Sequence, residues 1–488
     1  MSLQFSNHVL DNVHGFIPLT KVEDEIERLP IFRRLRNIKQ LGLANWIFPG
    51  SEHTRYIHSL GVMHIIGQMA NKLNFSDEDT QLVRLAGMLH DIGHYPLSHI
   101  GEYAYMQRAT QNKNHVETAC DDVVDKVEKL TDTKILNSVL MQGQPNPFHH
   151  ENMGVSVIMN SSAIKELIHK YYDDRIDILD ICDIIVGNTE RNPDLSAKIQ
   201  LLHSELDADR IDYLLRDASF SGAGYGKIEL GTLIKSLEVK KHSTLDVEIV
   251  GISPKGIGSA DQFLINRYLA YSQVIFHKHV SVLSYMAESV ISWMINETTF
   301  NEFPSGDALA DFIKKHERNT KYLDFTDQYF HNILHKVSIS NDGCPPEIYI
   351  LIEHLRKGMA LPVVGKQIAF SSRNREELKK LILGTTIYQN AAKKDPGGSK
   401  RLPLMHTISI TNNVPLQQFN EAYETFIKAN NPDEVPEIES FYKQRLQNGV
   451  AVIEEDTDPY LLVDSTYSLT KDLSLNTQVL LREYGLYD

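Results

Sequence analysis

Three histidines and one aspartate fall within the ten residues from His90 to His99, in the run Leu89-His90-Asp91-Ile92-Gly93-His94-Tyr95-Pro96-Leu97-Ser98-His99. An apolar stretch at helical spacing leads into His90-Asp91, and Gly93 and Pro96 then break it. Neighbouring helical positions lie about 100° apart, so such a helix end can turn an imidazole and a carboxylate toward one ion held between helices. That donor pair suits Mn, Fe, Zn or Ni, and the carboxylate also admits Mg. A lone His-Asp pair has a plainer use, the His closing a helix and the Asp capping the next turn. Further donors are needed to decide.

Two segments supply candidates. Arg55-Tyr56-Ile57-His58-Ser59-Leu60-Gly61 opens a helix upstream. Downstream lies Leu206-Asp207-Ala208-Asp209-Arg210-Ile211-Asp212-Tyr213-Leu214-Leu215-Arg216-Asp217. On a helix, Asp209, Tyr213, Arg216 and Asp217 share one stripe, and Ile211, Leu214, Leu215 and Ala218 share roughly the opposite one. The apolar stripe can bury while the polar stripe faces a cavity. The alternative is a solvated face stitched by charge pairs one turn apart.

Composition limits what such a site could serve. The chain has 488 residues, with 42% hydrophobic and 23% charged content. These are ordinary values for a globular enzyme and exclude a disordered chain, a collagen-like fibre and a membrane bundle. Net charge is 49 − 64 = −15, which argues against a protein that coats nucleic acid. An acidic protein handling an anionic substrate needs local cations, whether Arg and Lys or a bound metal. The 21 histidines direct attention to metal and proton chemistry. Cys120, Cys182 and Cys344 are sparse and unpaired in sequence, as in a reduced compartment. No secretory signal pattern opens the sequence, and the apolar window Val280–Ile295 is too short and polar to span a bilayer. A cytoplasmic protein without a membrane segment is expected.

The elements that must position these residues read as follows. Helical spacing recurs through most of the first 230 residues, as in Ile65-Ile66-Met69-Leu73 and Leu82-Leu85-Ala86-Leu89. Asn74 to Asp77 reads as a loop ending in a helix cap. Residues 103–148 are polar and weakly periodic, as in an insertion carrying one helix. Residues 237–252 alternate around His242-Ser243-Thr244 and predict a β-hairpin. Beyond residue 330, β-rich stretches at 361–371 and 404–411 alternate with helical runs such as 416–429, and Lys393 to Lys400 reads as a linker. The expectation is a mainly α protein: a helical domain over 1–330 and a mixed α/β part over 331–488 with a regulatory or oligomerisation role.

With these residues in view, the sequence resembles the HD-domain phosphohydrolases, whose metal signature is matched by His58, His90-Asp91 and Asp209. Longer stretches are similar to the deoxynucleoside triphosphate (dNTP) triphosphohydrolases of that family, the bacterial relatives of the SAM-and-HD-domain dNTPase. They are Arg34 to Leu43, Ile47-Phe48-Pro49-Gly50, His53 to Val62, Gly93 to His99, and Asp209 to Asp217 followed by Ser221-Gly222-Ala223-Gly224-Tyr225-Gly226. The likeness runs through residues 7–300 and weakens beyond 330. It implies an HD-type helical core and one divalent metal held by His58, His90, Asp91 and Asp209. It implies that His94 and His150 act in catalysis, with Glu151 as the acidic neighbour that orients His150. Arg55, His99, Arg210 and Arg267 would bind phosphate, while Gln40, Leu41, Tyr213 and Asp217 would meet the sugar.

The implied reaction is hydrolysis of a dNTP to deoxynucleoside and inorganic triphosphate, by a homo-oligomer of two or four chains. Alternatives within the HD class are a nucleotidase, a cyclic-nucleotide phosphodiesterase or an alarmone hydrolase. Outside it stands a nucleotide-sensing or nucleic-acid-binding module without turnover. Two departures matter. Ile275 stands where the family carries a Tyr near the nucleotide, with Tyr271 one turn earlier. Arg28 and Arg33 stand where guanine-selecting relatives carry Asp and Gln, and Arg offers only donors to a base that needs acceptors. The cluster Arg28, Arg33, Arg34, Arg36 and Lys39 is instead a candidate for an anionic nucleotide effector, or a basic helix face.

Overall fold

The computed structural model describes residues 3–106, 115–128, 146–296, 303–318, 320–340, 344–364, 367–393, 401–410, 416, 419–420, 438–474 and 476–486. Residues 394–400, nearly all of the expected linker, and most of the expected insertion and of the helical run 416–429 lie outside them.

The protein is mainly α, as the periodicity predicts. Near its start, within the mostly helical first 230 residues, the chain forms a hairpin that helical spacing does not predict. Strand β1 (Phe5–Asp11) pairs antiparallel with β2 (Gly15–Thr20). The turn explains the difference. The Asp11 carboxylate accepts the N–H groups of Val13 (3.0 Å) and His14 (2.9 Å), and Gly15 takes a left-handed φ of +70°. This is turn chemistry that hydrophobic spacing does not reveal.

Five helices build the site. They are α1 (Arg55–Lys72), α2 (Asp77–Leu89), α3 (His99–Met106), α4 (His150–Asn160) and α5 (Ala208–Ser221). Helix α1 is buried on nearly every side and packs against both α2 and α5. Helix α2 begins at the expected place, with Ser76 as its cap accepting the N–H of Asp79 (3.0 Å). It ends on Leu89, so His90 and Asp91 leave its carboxyl end and the chain turns sharply. Gly93 makes that turn possible. A Cβ there would lie 2.2 Å from the Gly154 nitrogen and 2.3 Å from the His150 carbonyl, so glycine lets α4 approach the His90–His94 loop.

Leu97 and Ser98 follow in left-handed conformation, at φ +60° and +58°, which is uncommon for residues with a Cβ. They are held from several directions. The Asp327 carboxylate accepts the N–H groups of Leu97 (2.7 Å) and Lys39 (2.9 Å), and the Ser98 hydroxyl donates to the Lys39 carbonyl (2.7 Å).

The chain continues into strands β3 (Leu237–Lys241) and β4 (Glu248–Ile252), the expected hairpin. Helices α6 (Ile257–Ala270) and α7 (Lys278–Asn296) follow, joined by a π turn at Tyr271–Ile275, and later α8 (Asp327–Ser340). A three-stranded antiparallel sheet comprises β5 (Ile368–Ser372), β6 (Arg401–Ser409) and β9 (Thr477–Gly485), with β9 central. Short strands β7 (Ala451–Val452) and β8 (Tyr460–Leu461) extend the β3–β4 hairpin, β7 pairing parallel to β4. One apolar core runs from Ile17 to Leu486, so the residues after 330 share the core of the helical part. They also brace it: Arg482 donates to the Phe276 carbonyl and Tyr484 to the Lys278 carbonyl, each at 2.7 Å. Among the described residues no helix is long and apolar enough to cross a membrane.

Candidate active site and metal centre

Four carboxylate and imidazole groups from α1, the end of α2 and α5 converge. Asp209 Oδ1 lies 2.9 Å from His58 Nε2 and 3.8 Å from His90 Nε2. Asp91 Oδ1 lies 3.4 Å from His90 Nε2, and Asp91 Oδ2 lies 3.7 Å from His58 Nε2. His58 Nε2, His90 Nε2 and Asp91 Oδ1 are buried and make no well-formed hydrogen bond. Buried polar atoms ordinarily find partners. Ligands each about 2.1 Å from one six-coordinate ion lie about 3 Å apart, so these spacings fit a divalent cation.

Each donor is aimed by a second bond. His90 Nδ1–H donates to the Gly87 carbonyl (2.8 Å), which leaves Nε2 as the lone-pair nitrogen. His58 Nδ1–H donates to Asp212 Oδ2 (2.8 Å) with the same result. Arg55 donates from Nη1 to Asp91 Oδ2 (2.9 Å) and from Nε to the Ser98 hydroxyl (2.9 Å), so Asp91 Oδ1 is the oxygen left facing the cluster. Burial disfavours a charged His58, yet Asp209 and Asp212 outweigh it and push its pKa up to about 10. The pocket favours a positive charge at this point, which a proton and a metal ion would contest.

Beside the cluster stand three more histidines. His94 and His150 stack with ring centroids 4.3 Å apart, and their Nε2 atoms lie 3.5 and 4.0 Å from Asp91 Oδ1. Both His94 ring nitrogens lack a hydrogen-bond partner. Burial, with Arg55 and the neighbouring histidines close by, holds its pKa well below the usual value, so it is neutral. His150 is different. Burial opposes its protonation, but Glu102 accepts its Nδ1–H at 3.0 Å and raises its pKa. Glu102 is itself buried and also accepts the His150 backbone N–H (2.9 Å) and His99 Nδ1–H (2.7 Å). It stays ionised because these donors outweigh the cost of its burial.

Glu102, and not the expected Glu151, is thus the carboxylate on the His150 ring. Glu151 turns instead to His149 (3.3 Å) and His203 (3.9 Å). The reason is local. His150 and Glu151 are adjacent near the start of α4 and point about 100° apart, whereas Glu102 reaches His150 from α3. A second correction concerns Arg216. It does not line a cavity with Asp209 but is fully buried, bonded to Asp212 and Asp11.

The expected phosphate and sugar residues divide. Arg55 is in the cluster as described, and His99 stands half exposed at its mouth. Arg210 is one-third exposed beside Asp209 and pairs with Asp207. Arg267 is committed to Glu205 (3.1 Å) and the Ile410 carbonyl (3.0 Å). Asp217 accepts His53 Nε2–H (2.8 Å), and the His53 carbonyl accepts the Gln40 N–H (3.0 Å), so these three residues form one chain. Gln40 Oε1 is buried without a partner. Leu41 and Tyr213 are half-buried against the core.

The basic cluster is neutralised. Arg33 and Arg36 share Glu27 (3.0 and 2.9 Å), Arg28 pairs with Asp24 (2.6 Å), and Lys39 with Glu52 (2.8 Å). Arg34 is buried and donates to the His94 and Phe325 carbonyls (2.6 and 2.7 Å). It holds the active loop and is no surface cation.

Sequence reasoning missed Glu102 and Asp212. Their signals were the His99-x-x-Glu102 and Asp212-x-x-x-Arg216 spacings, each a neighbour pair on a helix face. Gly61 makes room for Asp212, since a Cβ there would lie 1.9 Å from Asp212 Oδ1 and 2.5 Å from Arg216 Nη2. Gly61→Ala should cost about 1–3 kcal/mol, the usual range for overpacking, read as a lowered thermal midpoint.

Residues 55–217, which carry all four converging groups, match the HD domain family. An uncharacterised protein of Mycoplasma pneumoniae is 33% identical over 258 residues, 52% of either chain. The deoxynucleoside triphosphate triphosphohydrolase SAMHD1 of Homo sapiens is 30% identical over 239 residues, 43% of this chain and 33% of that one. The matches span about half the length of the first curated relatives. A solved phosphohydrolase from Bacteroides thetaiotaomicron shares the fold, with a TM-score of 0.59 at 20% identity over 98% of this chain and 99% of that one. A hypothetical protein from Aquifex aeolicus does so with a TM-score of 0.61 at 22% identity, over 98% and 96%.

Proposed function

We propose that this HD-domain protein, a relative of the SAMHD1 dNTPases, is a metal-dependent dNTP triphosphohydrolase that releases deoxynucleoside and inorganic triphosphate. The observation that carries the reading is the facing of two sets of groups. On one side are the buried ligand atoms of His58, His90 and Asp91, none in a well-formed hydrogen bond, with Asp209 beside them. On the other, within 4.0 Å of Asp91, are the stacked imidazoles of His94 and His150.

A divalent ion held by His58, His90, Asp91 and Asp209 would polarise a phosphate and lower the pKa of a bound water. The chain's own residues do the rest. Arg55 keeps Asp91 aimed, and Arg55, Arg210 and His99 border the space for phosphate oxygens. Neutral His94 hydrogen-bonds a phosphate oxygen or the attacking water. His150, protonated on both nitrogens, donates Nδ1–H to Glu102 and has Nε2–H for the leaving oxygen. Water oxygen bonds to the α-phosphorus as the bond from phosphorus to O5′ breaks. The His150 proton goes to O5′, and the proton lost by the water restores His150. Gln40, Leu41, Tyr213 and Asp217 meet the sugar, the His53 bridge fixing Asp217. Arg267, tied to Glu205, acts by bracing α6 and not by binding phosphate.

The same reading places the protein in the cytoplasm as a homo-oligomer, with the part after residue 330 serving assembly or regulation. An anionic effector at the basic cluster would have to displace Glu27 from Arg33 and Arg36.

The test is product analysis by anion-exchange chromatography, with each dNTP and ribonucleotide, Mn²⁺ or Mg²⁺, and a chelator control. Inorganic triphosphate from dNTPs supports the reading; orthophosphate or pyrophosphate moves the protein to another HD class. The pH dependence gives a further expectation. His150 must be protonated to act, so the rate is highest below its pKa and falls as pH rises through it. Glu102→Gln removes the influence that raises that pKa, so the basic limb of the kcat profile should move to lower pH. An unmoved limb would mean that His150 is not the proton donor.

A further inference from the structure

We propose that the turn of the N-terminal hairpin, Asp11 to Gly15, is a working part of the metal centre, in which His14 and Asp11 fix the carboxylate that orients His58 and thereby set the affinity of the site for a divalent cation. The inference rests on the metal reading above. The hairpin lies outside residues 55–217 that match the HD domain.

The geometry runs in one unbroken line. His58 Nδ1–H donates to Asp212 Oδ2 at 2.8 Å, and Arg216 Nε donates to the same oxygen at 2.8 Å. Asp212 Oδ1 accepts His14 Nε2–H at 2.6 Å and Arg216 Nη2 at 3.0 Å. A carboxylate has about four acceptor positions, and here all are taken, by donors from three separate elements. Arg216 is held in turn by Asp11, Nη1 to Oδ2 at 2.7 Å. Asp11 also accepts the backbone N–H of His14 at 2.9 Å, so one residue fixes both the turn and the guanidinium. The side chains of His14, Asp212, Arg216 and Asp11 are all buried. Gly61, one turn after His58, leaves the space the carboxylate fills.

Among these donors, His14 is the one supplied by a loop from outside the helical core. Without it, Asp212 Oδ1 keeps only Arg216, and the carboxylate is free to swing toward that cation and away from His58. His58 then loses the bond that fixes its ring and makes Nε2 a better donor. Groups that orient a metal-bound imidazole in this way typically change metal affinity about 10–100-fold.

The experiment uses the full chain, stripped with chelator and titrated with Mn²⁺, free Mn²⁺ being read by electron paramagnetic resonance. His14→Ala should weaken Mn²⁺ binding about 10–100-fold. His14→Gln, whose amide N–H can still donate to Asp212, should recover most of the loss. Leu10→Ala, exposed on the same hairpin, should bind as wild type. Thermal unfolding in chelator separates affinity from folding, and if His14→Ala unfolds, Asp11→Asn and His14→Gln carry the comparison. A folded His14→Ala chain that binds Mn²⁺ as tightly as wild type would overturn the proposal, as would, where His14→Ala unfolds, an Asp11→Asn chain that binds no more weakly than His14→Gln. A wild-type chain that takes up neither Mn²⁺ nor Fe²⁺, Zn²⁺, Ni²⁺ or Mg²⁺ would overturn the metal reading and this inference with it.

Discussion

Replacing His90 with Ala should strip the bound metal and reduce hydrolysis about 10³-fold or more, because the ion's stabilisation of the transition state is several kcal/mol and each 1.36 kcal/mol is about tenfold in rate. His90 is chosen because its loss is clean. Its ring makes one bond to the protein, to the Gly87 carbonyl, and its Nε2 faces only the cluster. Asp91 is paired with Arg55, so its removal also leaves a buried cation without its counter-charge, which is costly in itself, and His58 is tied into the Asp212 network. Asp209→Ala should act like His90→Ala, since its side chain is one-third exposed at the mouth. Metal content by mass spectrometry of the purified variant, beside its thermal midpoint, checks the result. A His90→Ala chain with full metal content and full rate would remove His90 from the centre.

The second large effect belongs to His150. His150→Ala should lower kcat by about 10²–10⁴, the usual contribution of a positioned acid or base, while metal content stays at the wild-type level. That split separates proton transfer from metal binding. His150 Nε2 stands 4.0 Å from Asp91, close enough to act on the same substrate. His94→Ala should lower the rate without moving the basic limb of the pH profile, because His94 is neutral throughout. If His150→Ala retains wild-type kcat, the leaving oxygen takes its proton elsewhere.

Part of this site was legible in the sequence because part of it is local. His90, Asp91, His94 and His99 stand within one short run, and a helix end followed by Gly93 turns them inward. Asp209 and Tyr213 were legible as a helix stripe, though the same stripe misled for Arg216. Side-chain spacing says which face a residue shares, not what lies opposite, and opposite Arg216 stands Asp11 from a hairpin that the helical spacing gave no sign of.

The residues that orient the site were missed for a physical reason. Their partners are distant in sequence: His150 and Glu102 are 48 residues apart, His58 and Asp212 are 154, and His14 and Asp212 are 198. A pattern of helical spacing carries no information on such pairs. The family resemblance gave the adjacent acid, Glu151, a role on the His150 ring that Glu102 fills from another helix. The mainly α character and the β3–β4 hairpin were legible from periodicity alone. The pairing of that hairpin with β7, some 200 residues later, was not.

The measurement that tests the central claim most directly is hydrolysis of a dNTP in ¹⁸O-labelled water with Mn²⁺, followed by mass analysis of both products. The account predicts inorganic triphosphate carrying one ¹⁸O and an unlabelled deoxynucleoside, with no turnover in chelator. Label in the nucleoside, release of orthophosphate or pyrophosphate, or turnover without a divalent ion would contradict it.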